Sequence, residues 1–101
     1  MLILNELGIS PQYQGYAMTA AALSLMDHVP GMLDSTMQIY ARVGQTLDAP
    51  PQNVERNIRT VARHAWRANR SRLEALAGYA LPKPPSAGEF LSILHLHRRA
   101  S

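Results

Sequence analysis

The chain has 101 residues, enough for one compact domain and too few for two ordinary ones. Apolar residues make up 47%, which supplies a packed core and excludes a disordered chain, and the lack of cysteine excludes disulfides and thiolate metal sites. The net charge of +3 hides an asymmetry: Pro51 to Arg72 holds six Arg and one Glu (+5), while the rest holds four basic and six acidic residues (−2). Such a concentration on one segment is the electrostatic footprint of a polyanion-binding element.

Ala and Leu dominate over β-branched and aromatic residues, which favours helices. Leu2 to Leu7 reads as a short helix stopped by Gly8 at C′. Ser10-Pro11 offers an N-cap and N1 pair for a second helix running to about Asp27, with Tyr16, Ala20, Leu23 and Met26 at helical spacing. Val29-Pro30-Gly31 breaks that pattern. A third helix is expected from Asp34 or Ser35 to Leu47, with Met37, Ile39, Tyr40, Val43 and Leu47 apolar. After a turn at Asp48 to Pro51, a fourth helix is expected over 51–69 and a short fifth over Ser71 to Ala77, stopped by Gly78. Leu81 to Pro85 reads as an extended loop. Ser86-Ala87-Gly88-Glu89 is a capping box opening a last helix that buries Phe90, Leu91, Leu94 and Ile93 and ends in His97, Arg98 and Arg99. The expected fold class is all-α, a compact bundle of about six helices.

At about 100° per residue, Arg56, Arg59, Arg63, Arg67 and Arg70 fall within an arc of roughly 80°, while Val54, Ile58, Val61 and Ala65 centre on the other side. Helices three and four are separated by a tight turn, the spacing of a helix-turn-helix. Gly44 is small where the two would cross, Asp48 tolerates a left-handed turn conformation, and Leu47, Val54 and Ile58 would join the pair. In such a motif the first turns of the second helix enter the major groove, and here they carry Gln52, Asn53, Glu55, Arg56, Arg59 and Thr60. Arg bonds guanine bidentately, Asn or Gln bonds adenine, and Glu accepts from the cytosine amino group. Arg63 and the later arginines lie where phosphates are neutralised. A competing reading makes the stripe a solvated face, and makes Glu55 a first-turn acid that favours the helix dipole.

Trp66 lies toward the apolar side and is expected in the core. His95 and His97 diverge by about 200° on a helix and cannot share an ion, and His28 and His64 lack partners at ligand spacing. The five methionines sit among helical core positions. There is no Gly-rich phosphate loop, nucleophile elbow or paired-carboxylate arrangement, so neither catalysis nor a cofactor or metal is expected. RNA binding is disfavoured because no aromatic stacking platform accompanies the charge. No apolar run approaches the ~20 residues that span a bilayer, and the opening MLILNELG lacks an export signal, so a cytoplasmic protein is expected.

In order along nearly the whole chain, Leu7-Gly8-Ile9, Gly15-Tyr16, Val54-Glu55-Arg56, Ile58-Arg59, Ala65-Trp66, Gly78-Tyr79, Lys83-Pro84 and Glu89-Phe90-Leu91 match one family. The chain resembles the C-terminal DNA-binding domain of the stage-zero sporulation response regulator. The resemblance implies a single six-helix domain over 1–101 and sequence-specific binding to promoter DNA, with two domains side by side on one site. It also implies base reading by Glu55, base or phosphate contacts by Arg56 and Arg59, and a loop around Lys83 and Ser86 near the DNA backbone.

The sequence departs from the family pattern at several places, and the departure at Asn53 implies an altered target sequence. Asn53 stands where the family usually has a base-reading Arg, Thr60 replaces a usual His, and Tyr40-Ala41 replaces a Tyr-Pro pair. Pro50-Pro51 alters the approach to the recognition helix, and the segment from Lys83 to Glu89 spaces KP from EF differently. Family members carry an N-terminal phosphoacceptor receiver domain, whereas this sequence opens at the effector domain; an excised fragment and a stand-alone regulator both fit.

The expected function is therefore that of a sporulation-type transcriptional regulator, with helix 51–69 in the major groove. The expected partners are double-stranded promoter DNA, a second copy on DNA, and a related regulator or RNA polymerase, with no membrane. The alternative is a degenerate effector domain that titrates a related regulator by protein contact.

Overall fold

A computed structural model describes residues 2–29 and 35–100, and among these there are five helices and no strand. They are α1 (Leu2–Glu6), α2 (Gln14–His28), α3 (Thr36–Leu47), α4 (Pro51–Ala77) and α5 (Ala87–Ala100). The expected break at Pro30-Gly31 and the helix start at Asp34 lie outside the described residues.

The ends of most helices follow from local chemistry. Gly8 and Gly78 take the left-handed conformation after α1 and α4, with φ of 86° and 81°, which lets the chain leave each helix without a Cβ clash. Ser35 caps α3, its hydroxyl accepting from the Gln38 N–H at 3.4 Å. The start of α2 differs from expectation. Ser10-Pro11 form a separate turn, closed by a Tyr13 N–H to Ser10 carbonyl bond at 3.2 Å, and the helix begins only at Gln14. Tertiary contact decides this start, because Gly15 in the first turn of α2 lies directly against α4. A Cβ there would run into the Asn57 carbonyl and Val61 Cγ2.

The long helix α4 is the spine, packing against α2, α3 and α5. Its apolar stripe of Val54, Ile58, Val61, Ala62 and Ala65 is at most 1% exposed. Leu4, Leu7 and Ile9 close one end of the core, and Phe90, Leu91, Ile93 and Leu94 of α5 bury as expected. Each large side chain so buried contributes about 1.5–3 kcal/mol relative to exposure. Thr19 and His95 are the buried polar residues among those described. His95 Nδ1 lies 3.2 Å from Asp27 Oδ1, and Arg98 Nη2 reaches Asp27 Oδ2 at 2.8 Å, which ties the end of α2 to α5.

Two packing expectations are corrected. Met37 is 67% exposed and Leu47 40%, because the buried face of α3 is Ile39, Tyr40, Val43 and Gly44 and Leu47 sits at the helix end. Gly44 serves the turn rather than a helix crossing, since a Cβ there would meet the Ala49 carbonyl. The expected boundary between the fourth helix and the short fifth falls at Asn69, where φ is −153° and ψ is 64°, and the two stretches run on as the two arms of α4. There the Asn69 side chain accepts from the Arg72 N–H at 3.3 Å, as an N-cap does three residues before its partner. Asn69 therefore kinks α4 by starting a second helical arm within it.

Candidate nucleic-acid interface

The turn from α3 to α4 is built by three residues. Asp48 adopts φ 56° and ψ 54°, the left-handed conformation, and its N–H and that of Ala49 both bond to the Gly44 carbonyl, the latter at 2.9 Å. Pro50 is extended and Pro51 occupies the first helical position, where a missing N–H leaves nothing unsatisfied. The Pro50 carbonyl then accepts from Asn53 and Val54 at 2.9 and 3.2 Å. These bonds fix where α4 starts relative to the end of α3, with Val54 turned into the core.

Gln52, Asn53, Arg56, Arg59, Thr60, Arg63 and Arg67 are exposed on that helix, opposite the buried stripe. Arg56, Arg63 and Arg67 make no ion pair among the described residues. The Thr60 hydroxyl donates to the Arg56 carbonyl at 3.0 Å and the Asn57 side-chain amide to the Asn53 backbone carbonyl at 2.9 Å, while Asn53 itself is exposed. Asn53 also borders a groove shared with Gln14, Met18 and Leu47, so it faces the α2 side of the helix.

Glu55 is half-buried. With Pro51 at the first position it falls beyond the first turn, so the helix dipole does not account for it. Its carboxylate lies 3.7 Å from Arg59 Nε. Burial, followed by the Glu55 charge, pushes the Tyr40 hydroxyl above its usual range, while a hydrogen bond with Thr36 acts the other way. Glu55 thus sits at the seam between α3 and α4, with Arg59 on its solvent side.

The stripe is shorter than the spacing suggests. Beyond the Asn69 break, Arg70 lies 5.1 Å over the Trp66 ring and 3.2 Å from Glu74 Oε2. Arg72 pairs with Glu6 of α1 at 3.0 Å. The α4 cations without an ion pair among the described residues, Arg56, Arg63 and Arg67, all lie on its first arm.

Residues 79–86 fold back beside that arm. Arg59 and Arg63 line a groove whose other wall includes Lys83, Pro84 and Ser86, so residues far apart in sequence come together here. Lys83 is exposed, and the Ser86 hydroxyl accepts from the Glu89 N–H at 3.1 Å. That is half of the expected capping box. The Glu89 carboxylate does not return to Ser86 but accepts from the Tyr79 hydroxyl at 2.8 Å, which raises the Tyr79 pKa.

The anchors of this segment are not apparent from sequence. The Trp66 indole N–H donates to the Leu81 carbonyl at 2.8 Å, and the Leu81 N–H donates to Glu74 Oε2 at 2.6 Å. Trp66 is half-buried, so its polar edge matters as well as its apolar bulk. The signal available in sequence was a Trp at the edge of the apolar arc, which packing alone leaves without a donor partner.

His28 Nδ1 lies 2.8 Å from the Ser24 carbonyl, and His64 packs its ring 5.2 Å from that of Tyr13. Among the described residues no three His, Cys, Asp or Glu side chains are placed to hold a metal ion. None of the described helices is long and apolar enough to cross a membrane.

The chain matches the family "Sporulation initiation factor Spo0A C terminal" over residues 1–97. No curated protein matches the chain. The chain belongs to this family, the DNA-binding effector domain of a sporulation regulator, which is a regulatory family and not a catalytic one.

Proposed function

We propose that the chain binds promoter DNA sequence-specifically, as one domain in which α3 and α4 form a helix-turn-helix and the first arm of α4 enters the major groove. The observation that carries this reading is the exposed arm of α4. It presents Gln52, Asn53, Arg56, Arg59 and Thr60 near its start and Arg63 and Arg67 further along, all opposite a stripe that is fully buried. Base-edge donors and acceptors come first and phosphate-neutralising cations follow, the order that a groove-reading helix requires. Counting the two arms of α4 separately also accommodates the six-helix arrangement implied by the family resemblance.

In this reading Gln52 and Asn53 contact adenine, Arg56 and Arg59 contact guanine or phosphate, and Glu55 contacts a cytosine amino group while orienting Arg59. Arg63, Arg67, Lys83 and Ser86 contact the backbone. A second copy would sit alongside on the same site. Selection of bound duplexes from a random pool tests the proposal and should return a defined sequence. Arg59→Ala should then weaken binding to that sequence by about 1–3 kcal/mol if Arg59 contacts a base. Recovery of no preferred sequence, or binding unchanged when Arg56 and Arg59 are both alanine, overturns it.

A further inference from the structure

The segment that brings Lys83 and Ser86 to the groove contains Pro82, Pro84 and Pro85, so few of its residues can donate backbone hydrogen bonds. Its Leu81 peptide is held from both sides. The Leu81 carbonyl takes the Trp66 indole N–H at 2.8 Å and its N–H is taken by Glu74 Oε2 at 2.6 Å. The two partners stand on different arms of α4, one on each side of Asn69. Arg70 joins them, stacked 5.1 Å over the Trp66 ring and 3.2 Å from the Glu74 carboxylate. The Leu81 side chain is 3% exposed, so the clamped residue is also plugged into the core. Lys83 follows two residues later, facing Arg59 and Arg63 across the groove.

We infer that Trp66 and Glu74 are positioning residues for DNA binding: by clamping the Leu81 peptide they hold Lys83 beside Arg59 and Arg63, so that the loop and α4 grip one stretch of phosphate backbone. This rests on the DNA-binding reading above. The kink at Asn69 has a purpose in this arrangement, because it lets a single helix supply both the reading arm and the carboxylate that fixes the loop. Arg70 is thereby assigned to the clamp and withdrawn from direct phosphate contact.

The test compares wild type, Lys83→Ala, Trp66→Phe with Glu74→Ala, and the combination of all three changes, for binding of a selected duplex over a range of salt. Phe keeps most of the aromatic bulk and removes only the donor. Loss of Lys83 alone should reduce the salt slope by about 0.9, a roughly threefold smaller loss of affinity over a fourfold rise in salt. Breaking the clamp should produce the same reduction, and Lys83→Ala should then add nothing. A Lys83→Ala effect of equal size with the clamp intact and broken overturns the inference, because Lys83 would not depend on it. Should the double clamp variant fail to fold, Trp66→Phe alone is read by the same slope. Unchanged slope with a folded protein overturns the inference. A wild type with no salt-dependent duplex binding defeats the DNA reading itself, whereas normal wild-type binding with an indifferent clamp defeats only the positioning role.

Discussion

Arg63→Ala and Arg72→Ala remove the same charge from the same helix, and the structure predicts different consequences for DNA binding. Arg63 is exposed on the first arm of α4 and makes no ion pair among the described residues. Arg72 lies beyond the Asn69 break with its guanidinium 3.0 Å from Glu6 Oε2. Among the described residues, four cations along the reading arm and groove make no ion pair, namely Arg56, Arg63, Arg67 and Lys83. Each phosphate neutralised adds about 0.9 to the slope of log affinity against log salt, so all four give a slope of about −3.6. A fourfold rise in salt should then weaken binding roughly 150-fold.

Fluorescence anisotropy with a labelled selected duplex at several salt concentrations reads this slope directly. Arg63→Ala should bring it to about −2.7, whereas Arg72→Ala should leave it within error of wild type. Removing Arg72 breaks only an exposed ion pair, worth about 0–1 kcal/mol of stability, so the domain should remain folded. Equal slope changes in the two variants would refute the reasoning. The positive charge would then act as a net field around the molecule and not as a placed stripe.

Three further outcomes concern the scaffold. Gly15→Ala places a Cβ against the Asn57 carbonyl, which cannot rotate away; overpacking should destabilise the domain by about 1–3 kcal/mol and lower its melting temperature in calorimetry. An unchanged or raised Tm would show that α2 can slide on α4 without cost. Thr19 is wholly buried with no hydrogen-bond partner for its hydroxyl, so Thr19→Val should stabilise by about 1 kcal/mol in denaturant titration, and a loss of stability would show that the hydroxyl is satisfied. The Leu81 N–H, and after it Arg70, holds the Glu74 carboxyl below its usual range against an opposing desolvation effect. A depressed folded pKa stabilises fully above the unfolded value near ~4.3 and is lost as pH falls through the lower folded value. The Leu81 clamp should therefore persist to mildly acid pH, and carboxyl titration by NMR with a midpoint at or above the unfolded value would contradict it.

Much of the scaffold was legible because it depends on neighbours in sequence. The Ser35 cap, the left-handed Asp48 and the glycine stops at Gly8 and Gly78 are local solutions to unsatisfied backbone groups, and each appears where the residue type called for it. The failures occur where a distant partner decides. Ser10-Pro11 is a good local helix start, but close contact of Gly15 with α4 sets where α2 can begin. Ser86 and Glu89 spell a capping box, but Tyr79 takes the carboxylate. The nine residues expected at the candidate site from sequence are all exposed or half-buried. The hydrogen bonds that position its loop were not foreseen, because they link Trp66 and Glu74 to the backbone C=O and N–H of Leu81, groups that any residue but proline would have supplied.

The same distinction explains how the charge asymmetry acquires direction. Five arginines at helical spacing define a stripe in sequence, but spacing cannot say which of them are already neutralised. The acidic residues outside the basic segment settle that. Glu74 takes Arg70, Glu6 takes Arg72 and Asp27 takes Arg98. Within the stripe, Glu55 lies beside Arg59 at the looser distance of 3.7 Å, near enough to orient its guanidinium and too far for a tight pair. The negative remainder of the chain therefore silences cations at the far arm of α4 and the end of α5, and leaves Arg56, Arg63 and Arg67 to define the positive face. An ion-pair pattern of this kind narrows a generally basic helix to one reading arm. It also makes Glu6→Gln a more searching variant than any single arginine deletion. Releasing Arg72 raises the net charge without enlarging the reading face, so the affinity for the selected sequence relative to a scrambled duplex should fall or stay level. A gain in that ratio would place Arg72 on the DNA and extend the interface past Asn69.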